Sequence, residues 1–127
     1  MRSVALAFAF VLAASPAAAC DLVDLPVIAS RSAQDVLGRV ESVRLEGLAV
    51  RDFRLVRRWT ATVRPVQTLR GAPSTATFVY RFDDEQPVCG YKDLQVRRGS
   101  HAVFLFEPAA AAPYWALSQS DYSLARP

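Results

Sequence analysis

The feature that most constrains this chain is Cys20, which follows three alanines at the end of an apolar leader. Arg2 gives a positive start and the eleven residues 4–14 are all apolar, a pattern that predicts a signal peptide over residues 1–19. A transmembrane helix would need about 20 apolar residues, so this run is too short to span a bilayer. Cleavage would leave 108 residues (127 minus 19), the size of one domain that begins at Cys20.

The leader predicts a periplasmic or secreted protein. The alternative is a lipoprotein, because lipidation also makes a cysteine the first mature residue. Ala17 stands three residues before Cys20, where lipoproteins usually carry leucine. A lipid on Cys20 would anchor the domain in the cell envelope, and membrane association is expected only in that case.

Cys20 and Cys89 are the two cysteines of the chain, and both would survive cleavage. In an oxidising compartment an isolated pair usually forms a disulfide. The closed loop of about 70 residues would contribute roughly 4 kcal/mol in the chain-entropy model. No Cys-x-x-Cys spacing is present, which argues against two free thiols with a redox role.

The charge of the mature part is small, with 14 basic and 12 acidic residues and hence a formal charge of +2. Five arginines with Trp59 and Tyr80 near them in sequence resemble a basic groove with stacking aromatics. Trp59 falls on the inward side of its strand, however, so we expect core aromatics, a solvated arginine face and no nucleic-acid partner. The five arginines are Arg54, Arg57, Arg58, Arg64 and Arg70.

Alternation of apolar and polar residues predicts five strands, at 35–45, 48–68, 75–82, 101–106 and 114–118. Its clearest stretch sets Trp59, Ala61 and Val63 against flanking polar residues. We expect a turn at residues 46–47, an extended arm over 20–28 because Pro26 opposes regular structure, and one short helix over 30–35. The tail after residue 118 has weak structural signals.

These elements predict a mainly β fold, a small antiparallel barrel or sandwich. Five strands that close with one helix at the side form an OB-like (oligonucleotide/oligosaccharide-binding) barrel. Periodicity alone does not distinguish that barrel from half of a sandwich.

The runs QDVLGRVESV, WTATVRPVQTLRG, FVYRF, PVCGY and GSHAVFLFEP together resemble the netrin-like module. The chain is most similar to the amino-terminal domain of tissue inhibitors of metalloproteinases and to their bacterial relatives. The resemblance covers roughly residues 20–106. It implies a monomeric, non-enzymatic protein-binding domain, with the mature amino-terminal cysteine bridged to Cys89 of the Cys-Gly pair.

The resemblance also implies an inhibitory ridge and a possible metalloproteinase partner. The α-amine and carbonyl of Cys20 would chelate a zinc ion that belongs to the partner, displacing the catalytic water. Two departures bear on this: Leu22 stands where the inhibitors carry a second cysteine, and Asp21 would bring a charge into an apolar specificity pocket. The partner-binding surface would consist of Cys20, Asp21 and Leu22 against Cys89, Gly90 and Tyr91.

Catalysis, intrinsic metal binding and a cofactor are not expected. His101 is the one histidine, no nucleophile motif is present, and the acidic run at residues 83–85 is typical of a solvated loop. The rival to a protein-binding ridge is a polymer or small ligand bound on the barrel face. The polar residues of the second strand would bind it, namely Arg58, Thr60, Thr62 and Arg64.

Overall fold

The computed structural model describes residues 23–84 and 93–127. Within them the predicted mainly β fold with five antiparallel strands is confirmed. The elements are α1 (Leu25–Ser30), β1 (Gln34–Arg51), β2 (Arg54–Arg70), β3 (Phe78–Asp83), β4 (His101–Phe106), β5 (Trp115–Leu117) and α2 (Gln119–Ala125).

The five strands form one sheet in the order β3-β2-β1-β4-β5, with every neighbouring pair antiparallel. Pairing β3 with β5 would close this order into a five-stranded barrel. In the described residues these two strands are the edges of the sheet and do not pair. The predicted closed barrel is therefore an open sheet in this part of the chain.

The sheet is nevertheless strongly curled. Phe78 on β3 lies with its ring centroid 5.1 Å from that of Phe104 and 4.9 Å from that of Phe106, both on β4. Two strands, β2 and β1, separate β3 from β4 in the sheet. Such contacts require the sheet to bend until its inner face meets itself, and edge-to-face aromatic packing then fills the concave side.

Strand β4 is buried on both faces, which explains its nearly continuous apolar run. Ala102, Phe104 and Phe106 point into the concave core. Val103 and Leu105 point to the other side, where they pack in a second cluster with residues of α1 and α2. Successive strand residues face opposite sides, so a continuous apolar run is what a doubly covered strand needs.

The amino-terminal helix occupies a different position from the predicted one. Helix α1 spans Leu25–Ser30, whereas the sequence predicted an extended arm there and a helix over 30–35. Asp24 caps the helix by accepting a hydrogen bond from the Val27 N–H, and Pro26 lies in the first turn. Proline is favourable at that position because its missing N–H would have no helical partner.

A second helix, α2, occupies the tail, where the sequence signals are weak, so the described chain has two short helices where the sequence predicted one. Ser118 caps α2 by accepting from the Asp121 N–H. Arg126, just after α2, reaches the fully buried Asp35 on β1, with 2.6 Å from Nε to Oδ2. The Tyr122 hydroxyl donates to the same oxygen at 2.7 Å, and Ser32 donates to Oδ1.

The first two strands form a single long hairpin, and the predicted turn at Glu46-Gly47 is wrong. Strand β1 continues through these residues with a register shift between Leu45 and Gly47, as a β-bulge produces. The chain turns at Asp52 and Phe53. Both have positive φ, 48° and 61°, which a two-residue type I′ hairpin turn requires.

The end of this hairpin, residues 47–57, is here named the ribbon. It extends beyond β4, whose last partner on β1 is Arg39, and beyond β3, whose last partner on β2 is Arg58. Five residue pairs run from Gly47↔Arg58 to Arg51↔Arg54. At about 3.4 Å per residue, the ribbon therefore extends roughly 15 Å past these last partners. Its Val56, on the face opposite Leu55, is buried.

Candidate ligand-binding cleft at the base of the ribbon

The predicted inhibitory ridge lies outside the described residues, and it remains a prediction. This applies to Cys20, Asp21, Leu22, Cys89, Gly90 and Tyr91, and to the predicted disulfide.

The alternative ligand face lies within the described chain. Arg58, Thr60, Thr62 and Arg64 alternate along β2 with the core residues Ala61 and Val63, so they share the face opposite the core. Thr60 is buried there, whereas Arg58 and Arg64 are exposed. The strand therefore presents the four side chains together, as its period of two requires.

The structure divides these four residues between two neighbourhoods. Arg58 lines a cleft of about 490 Å³ at the base of the ribbon, and Thr60 donates a 2.6 Å hydrogen bond to Glu46, another lining residue. Arg64 instead pairs with Glu41 on β1, at 3.2 Å from Nε to Oε1. Thr62 and Arg64 do not line the cleft.

Asp83 is the central anion of the cleft. Its carboxylate receives two guanidinium groups, at 3.1 Å from Arg51 Nη1 and 3.7 Å from Arg58 Nε. Its backbone is also fixed, because its N–H donates to Asp93 Oδ2 at 2.9 Å and its carbonyl accepts from Gln95 at 2.7 Å. The segment after residue 92 thus holds the end of β3 in place.

Glu46 forms the second anionic point of the cleft. The bulge leaves Glu46 without an opposite residue on β2, and its side chain turns to Thr60 and to Arg81, whose Nε lies 3.4 Å from Oε2. The hydrogen bond from Thr60 and the charges of Arg81 and Arg44 lower the pKa of this carboxyl below its ordinary value, although burial opposes the shift. Glu46 is therefore anionic at neutral pH and helps orient Arg81.

The chemistry of the cleft combines cationic hydrogen-bond donors with carboxylates. Arg51, Arg58 and Arg81 line it together with Glu46 and Asp83. A guanidinium carries five N–H donors in a fixed plane, so an ion pair with one carboxylate leaves donors for a ligand. Such a site suits a ligand with carboxylate, sulfate or hydroxyl groups.

Sequence reasoning missed most residues of this cleft, including four that form its ion pairs. Glu46 was assigned to a turn and Asp83 to a solvated acidic loop, while Arg51 and Arg81 were not considered. A signal for two of them was present: in the run FVYRFD the polar residues Arg81 and Asp83 alternate with aromatic core residues, which places both on the outer face of β3.

The acidic run gives no sign of a cation site in the described chain. Asp83 is ion-paired as above, Asp84 pairs with Arg57 at 3.6 Å from Nε to Oδ2, and Glu85 lies outside the described residues. Across residues 23–84 and 93–127, no group of three or more histidine, cysteine, aspartate or glutamate side chains could hold a metal ion. His101 is exposed at the start of β4.

Comparison with protein-family models, with curated proteins and with solved structures found no match. The resemblance to the netrin-like module therefore depends on the sequence runs alone. Neither helix of the described chain is long and apolar enough to cross a membrane.

Proposed function

We propose that this protein is an exported, non-enzymatic binding module whose ligand site is the cleft at the base of the ribbon. The observation that carries the proposal is the pair of guanidinium groups, Arg51 and Arg58, that converge on Asp83 in the cleft. Binding sites need polar groups whose positions are fixed before the ligand arrives. The ion pairs with Asp83 fix these two arginines, and the ion pair with Glu46 fixes Arg81.

The ligand class that fits is an acidic carbohydrate, either a polymer or a short oligosaccharide. Carboxylate or sulfate groups accept two parallel hydrogen bonds from a guanidinium, and sugar hydroxyls satisfy the carboxylates of the cleft. A cleft of about 490 Å³ has the size of a small-ligand site.

The test is calorimetric titration of the mature protein with oligogalacturonate, compared with a neutral oligosaccharide of the same length. Arg58→Gln should weaken oligogalacturonate binding about tenfold, because hydrogen bonds to charged groups contribute roughly 1.5–3 kcal/mol each. Arg64→Gln is the matched control, since Arg64 lies on the same face of β2 but outside the cleft. Equal losses in the two variants, or no binding by the unaltered protein, would refute the assignment.

The second candidate is the metalloproteinase-inhibitor role that the resemblance implies, and it is favoured by the placement of Cys20 at the predicted cleavage site. A free α-amine has an ordinary pKa of about 7.7–8.0, so a usable fraction is unprotonated near neutral pH. The disulfide to Cys89 would hold this chelating end rigid and reduce the ordering cost of binding.

Intact mass before and after reduction tests the premise of this candidate. A mass for residues 20–127 that is lower by two hydrogens than the reduced mass supports a free amino terminus and a disulfide. Acetylation of the α-amine should then abolish inhibition of a zinc protease. A mass raised by acyl chains, or equal inhibition by free and acetylated protein, would exclude the chelation mechanism.

A further inference from the structure

The ribbon carries four exposed apolar side chains, of which Leu48 also lines the ligand cleft and the other three do not. Leu48, Val50 and Leu55 are each between 62% and 73% exposed, and Phe53 is fully exposed. Val50 pairs with Leu55 in the hairpin register, and Leu48 is two residues from Val50, so these three share one face. Phe53 continues this apolar surface over the turn at the tip.

The turn itself is unfavourable for the residue that occupies it. Phe53 has a φ of 61°, a region that glycine and asparagine enter easily and bulky side chains rarely adopt. A phenylalanine here adds backbone strain and gains no burial within its own chain. An unfavourable backbone conformation that persists at an exposed position is a reason to look for a function.

Arginines surround this apolar surface. Over residues 44–58 five arginines oppose two acidic residues, a net charge of +3. The charge remains +1 when the two carboxylates that pair with these arginines, Asp83 and Asp84, are included. Arg51 and Arg57 are about half exposed. Exposed ion pairs contribute little in water, so an external anion can replace Asp84 as the partner of Arg57.

We infer that the ribbon docks on an anionic lipid surface. The apolar residues occupy a projecting tip and one face, a convex shape that can enter the boundary between headgroups and acyl chains. The arginines beside the tip would lie at the level of the lipid phosphates, to which guanidinium groups donate two parallel hydrogen bonds. This inference goes beyond the proposed ligand cleft and does not depend on it.

The test is flotation of the mature protein with phosphatidylcholine vesicles, with and without added phosphatidylglycerol. The unaltered protein should float with the anionic vesicles, more weakly in high salt. In Phe53→Asn the new residue tolerates the positive φ of the turn, and the apolar side chain at the tip is removed. It should reduce vesicle binding about tenfold or more, the change expected when one buried aromatic side chain is lost.

A matched pair of variants distinguishes a loss of apolar surface on the ribbon from the same loss elsewhere on the protein. Val50→Thr changes a residue of the ribbon. Val66→Thr makes the same change at an exposed position near the other end of the hairpin. Only Val50→Thr should weaken flotation. The inference is overturned if the unaltered protein does not float with anionic vesicles, or if the two threonine variants behave alike. It is also overturned if the unaltered protein is a dimer that Phe53→Asn dissociates, since a second copy would then cover the ribbon.

Discussion

Asp35 brings a carboxylate into the interior of the fold, and three side chains from other segments neutralise or solvate it. Arg126 follows α2, Tyr122 lies within α2, and Ser32 precedes β1. Arg126 also donates from Nη2 to the Ala29 carbonyl at 2.7 Å. A buried charge costs little only when such partners are all present. This cluster therefore joins both helices to the first strand.

Arg126→Met should lower the free energy of unfolding by about 3 kcal/mol, because it leaves the Asp35 carboxylate buried without its cation. Arg64→Met removes the exposed pair with Glu41 and should cost less than about 1 kcal/mol. Urea denaturation of both variants measures the difference. Equal losses of unfolding free energy in the two variants would mean that the burial of Asp35 does not make its pair with Arg126 stronger than an exposed pair.

Tyr122 gives this cluster a pH dependence. Burial and the hydrogen bond to Asp35 raise the pKa of the Tyr122 hydroxyl from 10 to about 12. The folded state then binds the proton more tightly than the unfolded state, so this contribution to stability is present below pH 10 and is lost between pH 10 and about 12. Tyr122→Phe should flatten the fall of unfolding free energy over that range, as measured by urea denaturation at successive pH values. An unchanged slope would contradict this.

At the scale of the elements, the long hairpin shows what alternation predicts and where it fails. The core-facing residues Ala61 and Val63 were assigned correctly because each strand position alternates sides. The turn was misplaced because Glu46-Gly47 has a glycine and Asp52-Phe53 has none. A bulge accommodates Glu46-Gly47 within the strand, and the register of the two strands places the positive φ values at Asp52 and Phe53.

The helices were mispredicted for related reasons. Pro26 was taken to exclude helix, although it lies in the first turn, where proline is tolerated. A helix of six or seven residues is not stable alone, and it depends on tertiary packing. Contacts with β4 and β5 hold α1 and α2, and no local pattern in the sequence reveals those contacts.

Two glycines of β1 provide a matched test of how tightly the sheet is curled. A Cβ added to Gly38 would overlap the buried Val63 side chain and approach the Phe104 ring, whereas one added to Gly47 would meet nothing within 4 Å. Gly38→Ala should therefore destabilise the fold by about 1–3 kcal/mol. Gly47→Ala should lie within about 0.5 kcal/mol of the unaltered protein. Thermal unfolding of both reports the result, and similar stabilities would contradict the close packing at Gly38.

At the scale of the whole molecule, β4 lies between two apolar clusters, and different elements bury each of them. The cluster on the concave face is buried by aromatic residues of the curled sheet itself. The other cluster is covered by helices from the two ends of the described chain, so its closure depends on segments that are distant in sequence. The apolar run of β4 indicates that the strand is buried, but no local pattern shows what lies over its second face. The cleft arose in the same way, since residues of β1, β2 and β3 meet there only after the hairpin register is set.

The dependence on α2 leads to a prediction about the intact domain. Removal of residues 119–127 would expose Val103, Leu105 and Leu117 and take both Tyr122 and Arg126 from Asp35. Lost apolar burial and an unpaired buried charge act together, so the truncated chain should lose its cooperative thermal transition in near-ultraviolet circular dichroism.

Removal of the exposed Pro127 alone is the control and should change nothing. A truncated chain whose midpoint stays within about 5 °C of the full chain would have lost only about 1 kcal/mol. In that case the curled sheet would fold stably without α2 over the outer face of β4.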